Sequence, residues 1–235
     1  MQLFYSASIT QESDLYTFPR EESKHIIRVL RKQTGDDITI TNGKGYLFKG
    51  KIIDANPNKC TIQLHSAQFQ EPLPYKLHIA IAPTKLNDRF EWFLEKSTEI
   101  GITEITPIIC DHSERKQIKE ERFNKILQSA MKQSLQAHLP ILHPAISFKN
   151  FLTSQPLASF SGIAHCEEGE KSPLTKEITA SKDILILIGP EGDFSPEEIR
   201  NALDSSYTQI TLGTSRLRTE TAGIVACHSI AFLHQ

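Results

Sequence analysis

Ile184-Leu185-Ile186-Leu187-Ile188-Gly189-Pro190-Glu191-Gly192-Asp193-Phe194-Ser195-Pro196-Glu197-Glu198 is the stretch on which the fold class turns. Five successive apolar residues offer no face to water, so they read as a strand buried on both sides, the kind found in a parallel sheet. The residues after the turn open a helix. Ser195 stands at the N-cap, Pro196 at the first helical position and Glu198 where a capping box needs its carboxylate, while Phe194 and Ile199 complete a hydrophobic staple. Gly189 to Asp193 therefore leaves the carboxyl end of a strand and feeds a helix, which is where open α/β sheets hold ligands. The same grammar recurs at 207–212, where a strand pattern ends in Leu212-Gly213 and an apolar helix follows from Thr219 to Leu233. Two strand ends thus present adjacent loops.

Working outward, strands and helices alternate. Lys76 to Ala82 reads as a strand and Asp88 to Ile100 as a helix, with a capping box between Asp88 and Glu91. Thr103 to Cys110 gives a further strand, Glu120 to Gln136 a helix, and strand patterns recur at 158–165, 184–188 and 207–212. Such alternation predicts an α/β domain with a parallel sheet flanked by helices. Upstream of Gln70-Glu71-Pro72-Leu73-Pro74 the pattern changes to a meander: Asp37 to Thr41, an Asn42-Gly43 turn, Tyr46 to Ile53, then Cys60 to Ala67. One helix near Glu21 to Arg31 interrupts it, with Ile26, Ile27 and Leu30 on one face and Lys24, Arg28 and Arg31 on another. We place a small β-rich domain at 1–70 and an α/β domain at 75–235.

Composition narrows the class. The chain has 235 residues, 39% of them hydrophobic, enough for a substantial core, and a net charge of −2 that provides no global attraction for nucleic acid. Residues 20–51 nevertheless carry eight Lys or Arg against four acids, a modest basic face that also reads as ordinary solvated charge. Cys60, Cys110, Cys166 and Cys227 lie far apart and fit neither a zinc ribbon nor a disulfide framework, which points to a reducing cytoplasm. No run approaches a membrane span. The strings His165-Cys166-Glu167-Glu168 and Cys110-Asp111-His112 could suggest a metal, but neighbouring side chains cannot all converge on one ion, and no metal is expected.

A glycine at a strand end lets the backbone approach a bound group, and the amides of the next turn can donate to a nucleoside. Gly189-x-x-Gly192 lacks the third glycine of the dinucleotide fingerprint, and alone it reads as a tight turn.

Paired with the second loop it becomes specific. Gly189-Pro190-Glu191-Gly192-Asp193-Phe194-Ser195 and Leu212-Gly213-x-x-x-Leu217-Arg218-Thr219-Glu220-Thr221-Ala222 resemble the two signature loops of the RsmE family, the ribosomal RNA small-subunit methyltransferase E enzymes of the SPOUT superfamily. Pro83-Thr84-Lys85, Asp88-Arg89-Phe90-Glu91-Trp92, Lys96-Ser97-Thr98-Glu99-Ile100-Gly101 and His25-Ile26-Ile27-Arg28-Val29-Leu30-Arg31 resemble further motifs of that family, in the same order. One departure stands at Lys132-Gln133-Ser134-Leu135-Gln136, where the family commonly has an acidic residue, Gln, a small residue and Gly-Arg.

The resemblance implies a PUA-like RNA-binding barrel, then a SPOUT domain with a deep C-terminal trefoil knot, working as a cytoplasmic homodimer. It implies S-adenosylmethionine as cofactor, without a metal, and N3 of a uridine in 16S rRNA, within the small subunit or a late assembly intermediate, as substrate. Carried over residue by residue, Ile188, Gly189, Glu191, Gly192, Leu212, Gly213 and Leu217 would hold the cofactor, and the strand end near His165 and Cys166 would line the pocket. Arg218 would stabilise the charge developing on the uracil and Glu220 would accept its proton, although these two could instead pair. Lys24, Arg28, Arg31, Lys85, Arg89 and Arg115 would contact RNA, with Ser113 and Glu114 beside them. Two rival readings are a non-catalytic dimeric RNA-binding or ribosome-assembly protein and a dinucleotide-dependent oxidoreductase, the latter disfavoured by the missing glycine.

Overall fold

The computed structural model describes residues 2–154, 158–178 and 182–235. They fall into two compact units, Met1–Pro72 with Met131–Leu139, and Leu73–Ala130 with Pro140–Gln235. The first unit therefore takes a short piece from deep within the span that the sequence assigns to the α/β domain.

In the first unit β1 (Leu3–Tyr5), β2 (Leu15–Thr17), β3 (Asp37–Thr41), β4 (Tyr46–Asp54) and β5 (Thr61–Phe69) form one sheet in the order β1-β3-β4-β5-β2. The alternation of β4, with Phe48, Gly50 and Ile52 inward and Lys49 and Lys51 outward, is the period of a sheet with one wet face. Phe48 and Ile52 join Phe4, Ile9, Phe18, Ile26, Ile38, Ile40 and Ile62 in one core. The expected Asn42-Gly43 turn is longer than two residues. Asn42 Oδ1 accepts from the amides of both Lys44 and Tyr46, and Gly43 and Gly45 both have positive φ. The expected helix from Glu21 is α1 (Arg20–Lys24) continued by a π-helical turn over His25–Val29. The Leu30 amide donates to the His25 carbonyl, five residues back, yet the expected apolar face is kept: Ile26 is buried in the core and Ile27 and Leu30 pack against it, while Arg28 and Arg31 are exposed.

The second unit carries β6 (Lys76–Ile81), α2 (Asn87–Ile100), β7 (Glu104–Ile109), α3 (Glu120–Gln133) as far as Ala130, β8 (Ile141–Leu142), β9 (Ile146–Ser147) and α4 (Phe148–Ser154). Then come β10 (Phe160–Ala164), β11 (Ser172–Pro173), α5 (Leu174–Glu177), β12 (Asp183–Ile188), α6 (Pro196–Asp204), β13 (Thr208–Thr211) and α7 (Thr219–Leu233). The strands form a parallel sheet in the order β11-β13-β10-β12-β6-β7-β8, with β9 beside β7. Ile184 to Ile188 of β12 are all buried at its centre, as the unbroken apolar run requires. Leu185 and Leu187 pack with Phe148 and Phe151 of α4 and with Ile199 and Ala202 of α6. Each such large side chain fully buried is worth about 1.5–3 kcal/mol. α7 packs against α2, β6 and β12. Its Gly223 allows the approach, because a Cβ there would lie 2.6 Å from the Phe93 ring.

The capping box of α6 is formed: Ser195 Oγ accepts from the Glu198 amide at 3.2 Å, and Glu198 Oε2 accepts from the Ser195 amide at 2.8 Å. The one expected for α2 is not. Leu86 is its N-cap, and Asp88 Oδ1 accepts from the adjacent Arg89 amide, so Asp88 lies inside the first turn, two places too late to cap it.

Candidate functional site: a cleft at the carboxyl ends of the sheet

β10, β12 and β13 are neighbours in the sheet, so their carboxyl ends deliver three loops to one place. Between them lies a cleft of about 710 Å³. Of the residues assigned to a cofactor from sequence, Ile188, Gly189, Glu191, Leu212, Gly213 and Leu217 line it, and Gly192 does not. Gly192 is turned outward, where its carbonyl meets His112 Nδ1 at 3.0 Å.

The loops are fixed from several sides. Glu191 Oε1 accepts from the Lys85 amide at 2.9 Å, joining the first signature loop to the turn after β6. Asp193, at φ 65, uses Oδ2 to accept from the Cys166 amide at 2.7 Å and so joins it to the end of β10. Thr219 Oγ1, in the first turn of α7, donates to the Gly189 carbonyl at 3.1 Å. The second loop turns on Gly213, whose φ of 144 disfavours any side chain, and Thr211 Oγ1 donates to its carbonyl at 2.8 Å. Neighbouring polar groups thus hold the walls of the cleft from outside.

Arg218 lines the cleft, is exposed and engages no partner among the described residues. Glu220 is elsewhere. It is 5% exposed, its Oε1 lies 3.9 Å from Arg89 Nε, and its buried Oε2 has no partner, so the alternative Arg218–Glu220 pairing is replaced by an Arg89–Glu220 one. Among the other basic residues assigned to RNA, Arg115 donates to the carbonyls of Thr84 and Lys85 and to Asn87 Oδ1, clamping the turn after β6. Lys85 Nζ pairs with Glu114 at 2.7 Å. In the first unit Arg28 and Arg31 are exposed, and Lys24 pairs loosely with Glu21 at 3.7 Å.

The sequence reading placed His165 and Cys166 near the pocket, and both line it; Lys171, Asp193 and Arg216 also do and were missed. Asp193 stood in the quoted loop, but only its contact with the Cys166 amide shows why a carboxylate is there. His165 is buried beside β13, with Nε2 on Gln209 Oε1 at 2.9 Å and Nδ1 without a partner. Burial, aided by the Lys171 ammonium, holds its pKa below the ordinary imidazole value. Burial likewise raises the Cys166 thiol, which disfavours the thiolate.

Backbone amides at glycine loops, a free arginine and an unpaired imidazole nitrogen suit a ligand with a nucleoside moiety, and the cleft volume lies in the range of cofactor sites. The class this fold and cleft define is that of the RNA methyltransferases. The family model described as the RNA methyltransferase domain matches residues 71–231, and the one described as the RNA methyltransferase PUA domain matches 18–64. The chain belongs to the ribosomal RNA small subunit methyltransferase E family. A relative of that name from Buchnera aphidicola is 30% identical over 90% of this chain and 85% of its own length. A solved structure described as a probable rRNA-methyltransferase from Porphyromonas gingivalis is 42% identical, covering 100% of this chain and 98% of the other, with a TM-score of 0.93. A methyltransferase structure from Legionella pneumophila, 27% identical over 97% of this chain and 96% of the other with a TM-score of 0.86, contains bound SAM.

Proposed function

We propose that this chain transfers a methyl group from S-adenosylmethionine to N3 of a uridine in 16S rRNA, as a cytoplasmic homodimer acting on the small subunit or a late assembly intermediate. The observation that carries the reading is a cleft lined by both signature loops and by an arginine whose side chain has no partner among the described residues. Ile188, Gly189, Glu191, Leu212, Gly213 and Leu217 would hold the cofactor, with Gly192 shaping the turn from outside. The C-terminal knot implied by the family's SPOUT membership would close this pocket. When bound, the cofactor supplies a methyl carbon activated by a positive sulfur.

Uracil N3 carries a proton at neutral pH, so the protein must favour the deprotonated ring while holding N3 in line with that carbon. As the N3–C bond forms the C–S bond breaks, and the N3 proton leaves to solvent or a base. Arg218 would neutralise the charge that builds on the uracil oxygens. Glu220, turned toward Arg89 and away from the cleft lining, would act through Arg89 rather than on the base. Lys24, Arg28 and Arg31 would meet RNA phosphates with the first unit. Lys85, Arg89 and Arg115 have intramolecular partners, so an RNA role for them would share or exchange those contacts.

Arg218→Ala tests the reading. Small subunits from cells lacking the gene should accept methyl from the wild-type protein, seen by mass spectrometry as one N3-methyluridine. The variant should bind cofactor normally in calorimetry and methylate about 10²–10³-fold more slowly. Wild-type rates in the variant would remove Arg218 from the reaction. Absence of any cofactor affinity in the wild type would instead favour the non-catalytic RNA-binding reading.

A further inference from the structure

We propose that His78, Glu104 and His143 form a site for a divalent transition metal of the Zn²⁺ type, at the amino-end side of the sheet in the second unit. The cleft lies at the carboxyl ends. No short motif marks the site, because its members are spread along the chain; the sheet brings them together. His78 on β6 stands directly opposite Glu104, the first residue of β7. His143, next after β8, is fixed by its amide, which donates to the Ile105 carbonyl at 2.9 Å. One ligand atom from each of the three lies within 4.8 Å of the other two.

Two imidazoles and a carboxylate are a borderline donor set that suits zinc, with water completing a tetrahedron. Ligand bonds of about 2.0–2.2 Å put donor atoms roughly 3.3–3.6 Å apart. The 2.8 Å contact between Glu104 Oε2 and His143 Nε2 would open slightly, and a separation at the 4.8 Å bound would close by about 1.2–1.5 Å on that geometry. Thr106 Oγ1, 2.7 Å from His78 Nε2, supplies the orienting hydrogen bond that ligating histidines generally have. The Phe151 ring, 5.8 Å from that of His78, shields one side. The His143 side chain, 37% exposed, provides the entry path, whereas His78 is 5% exposed. Lys76 Nζ holds the other carboxylate oxygen at 2.8 Å, leaving Oε2 for the metal while opposing its charge. Binding would replace the hydrogen bond between His143 and Glu104 and clip β6, β7 and the segment after β8 together.

The test uses the full chain without a histidine tag, stripped with chelator. Titration with ZnCl₂ should show one ion per chain and raise the unfolding midpoint by about 2 °C or more. Co²⁺ should give the visible absorption of a tetrahedral centre. His143→Ala should weaken Zn²⁺ at least about 100-fold and abolish the thermal shift. His143→Gln serves if the alanine variant does not fold. Lys76→Met should tighten binding by removing the opposing ammonium, and His65→Ala, at an exposed position on β5, should change nothing. No stoichiometric binding, or binding indifferent to His143, overturns the proposal. Cofactor affinity stays the same in either case, so this result and that for the methyltransferase cleft are independent.

Discussion

Leu135 sits at φ 58, a left-handed conformation that costs an L-residue roughly 1–2 kcal/mol. The substitution Leu135→Gly relieves that strain and forfeits part of the gain to backbone entropy, so it should raise stability by about 0.5–1 kcal/mol in urea unfolding. His165 makes an opposite kind of demand. Its folded pKa lies below the unfolded value of 6.5, so the unfolded chain binds the proton first, and stability from this residue is present above pH 6.5 and lost as pH falls below it. Unfolding midpoints from pH 7 to pH 5 should decline less steeply in His165→Gln than in the wild type. Arg218 differs from both, since its side chain engages no partner among the described residues and its removal to alanine should register in methyl transfer alone.

At the scale of elements, α7 and α6 carry clear predictions. A Cβ at Gly223 meets Phe93 at 2.6 Å and Ile81 at 3.1 Å, so Gly223→Ala should cost about 1–2 kcal/mol, overpacking outweighing the better helix propensity. Ser195→Ala removes the α6 cap and the bond from Ser195 Oγ to Asp111 Oδ2, and should cost about 1–2 kcal/mol by chemical denaturation. These elements were legible because their signals are local: the apolar run of β12, the Ser-Pro-x-Glu start of α6 and the glycine ending β13 each need only a few neighbours to be read. The π-helical turn after α1 was not, because Ile26, Ile27 and Leu30 meet the same core whether the turn is wound as α or as π, so their spacing does not tell the two apart. The signature loops could be picked out as a cleft from sequence, but the partners of Glu220 and Arg115 could not. Arg89 and Thr84 lie far along the chain and are brought near only by the sheet.

For the whole molecule, a net charge of −2 leaves little long-range attraction for RNA, so recognition should rest on a few phosphate contacts and on shape. Replacing Lys24, Arg28 and Arg31 together should weaken binding to the small subunit and flatten its salt dependence by about one logarithmic unit per lost phosphate contact. Among the described residues no helix is long and apolar enough to cross a membrane. The first unit includes Met131–Leu139, whose Ala137 carbonyl receives the Gly45 amide and Thr41 Oγ1, while Gln70 Oε1 receives the Ala137 amide. A fragment ending at Pro72 should therefore be less protected from hydrogen exchange around Thr41 and Gly45 than the same unit in the full chain. In the cell this sets an order of events. At a few to some twenty residues per second, the nascent β-sheet at the N-terminus must wait several seconds, half-stitched, until translation has passed residue 139 and the missing piece emerges from the exit tunnel.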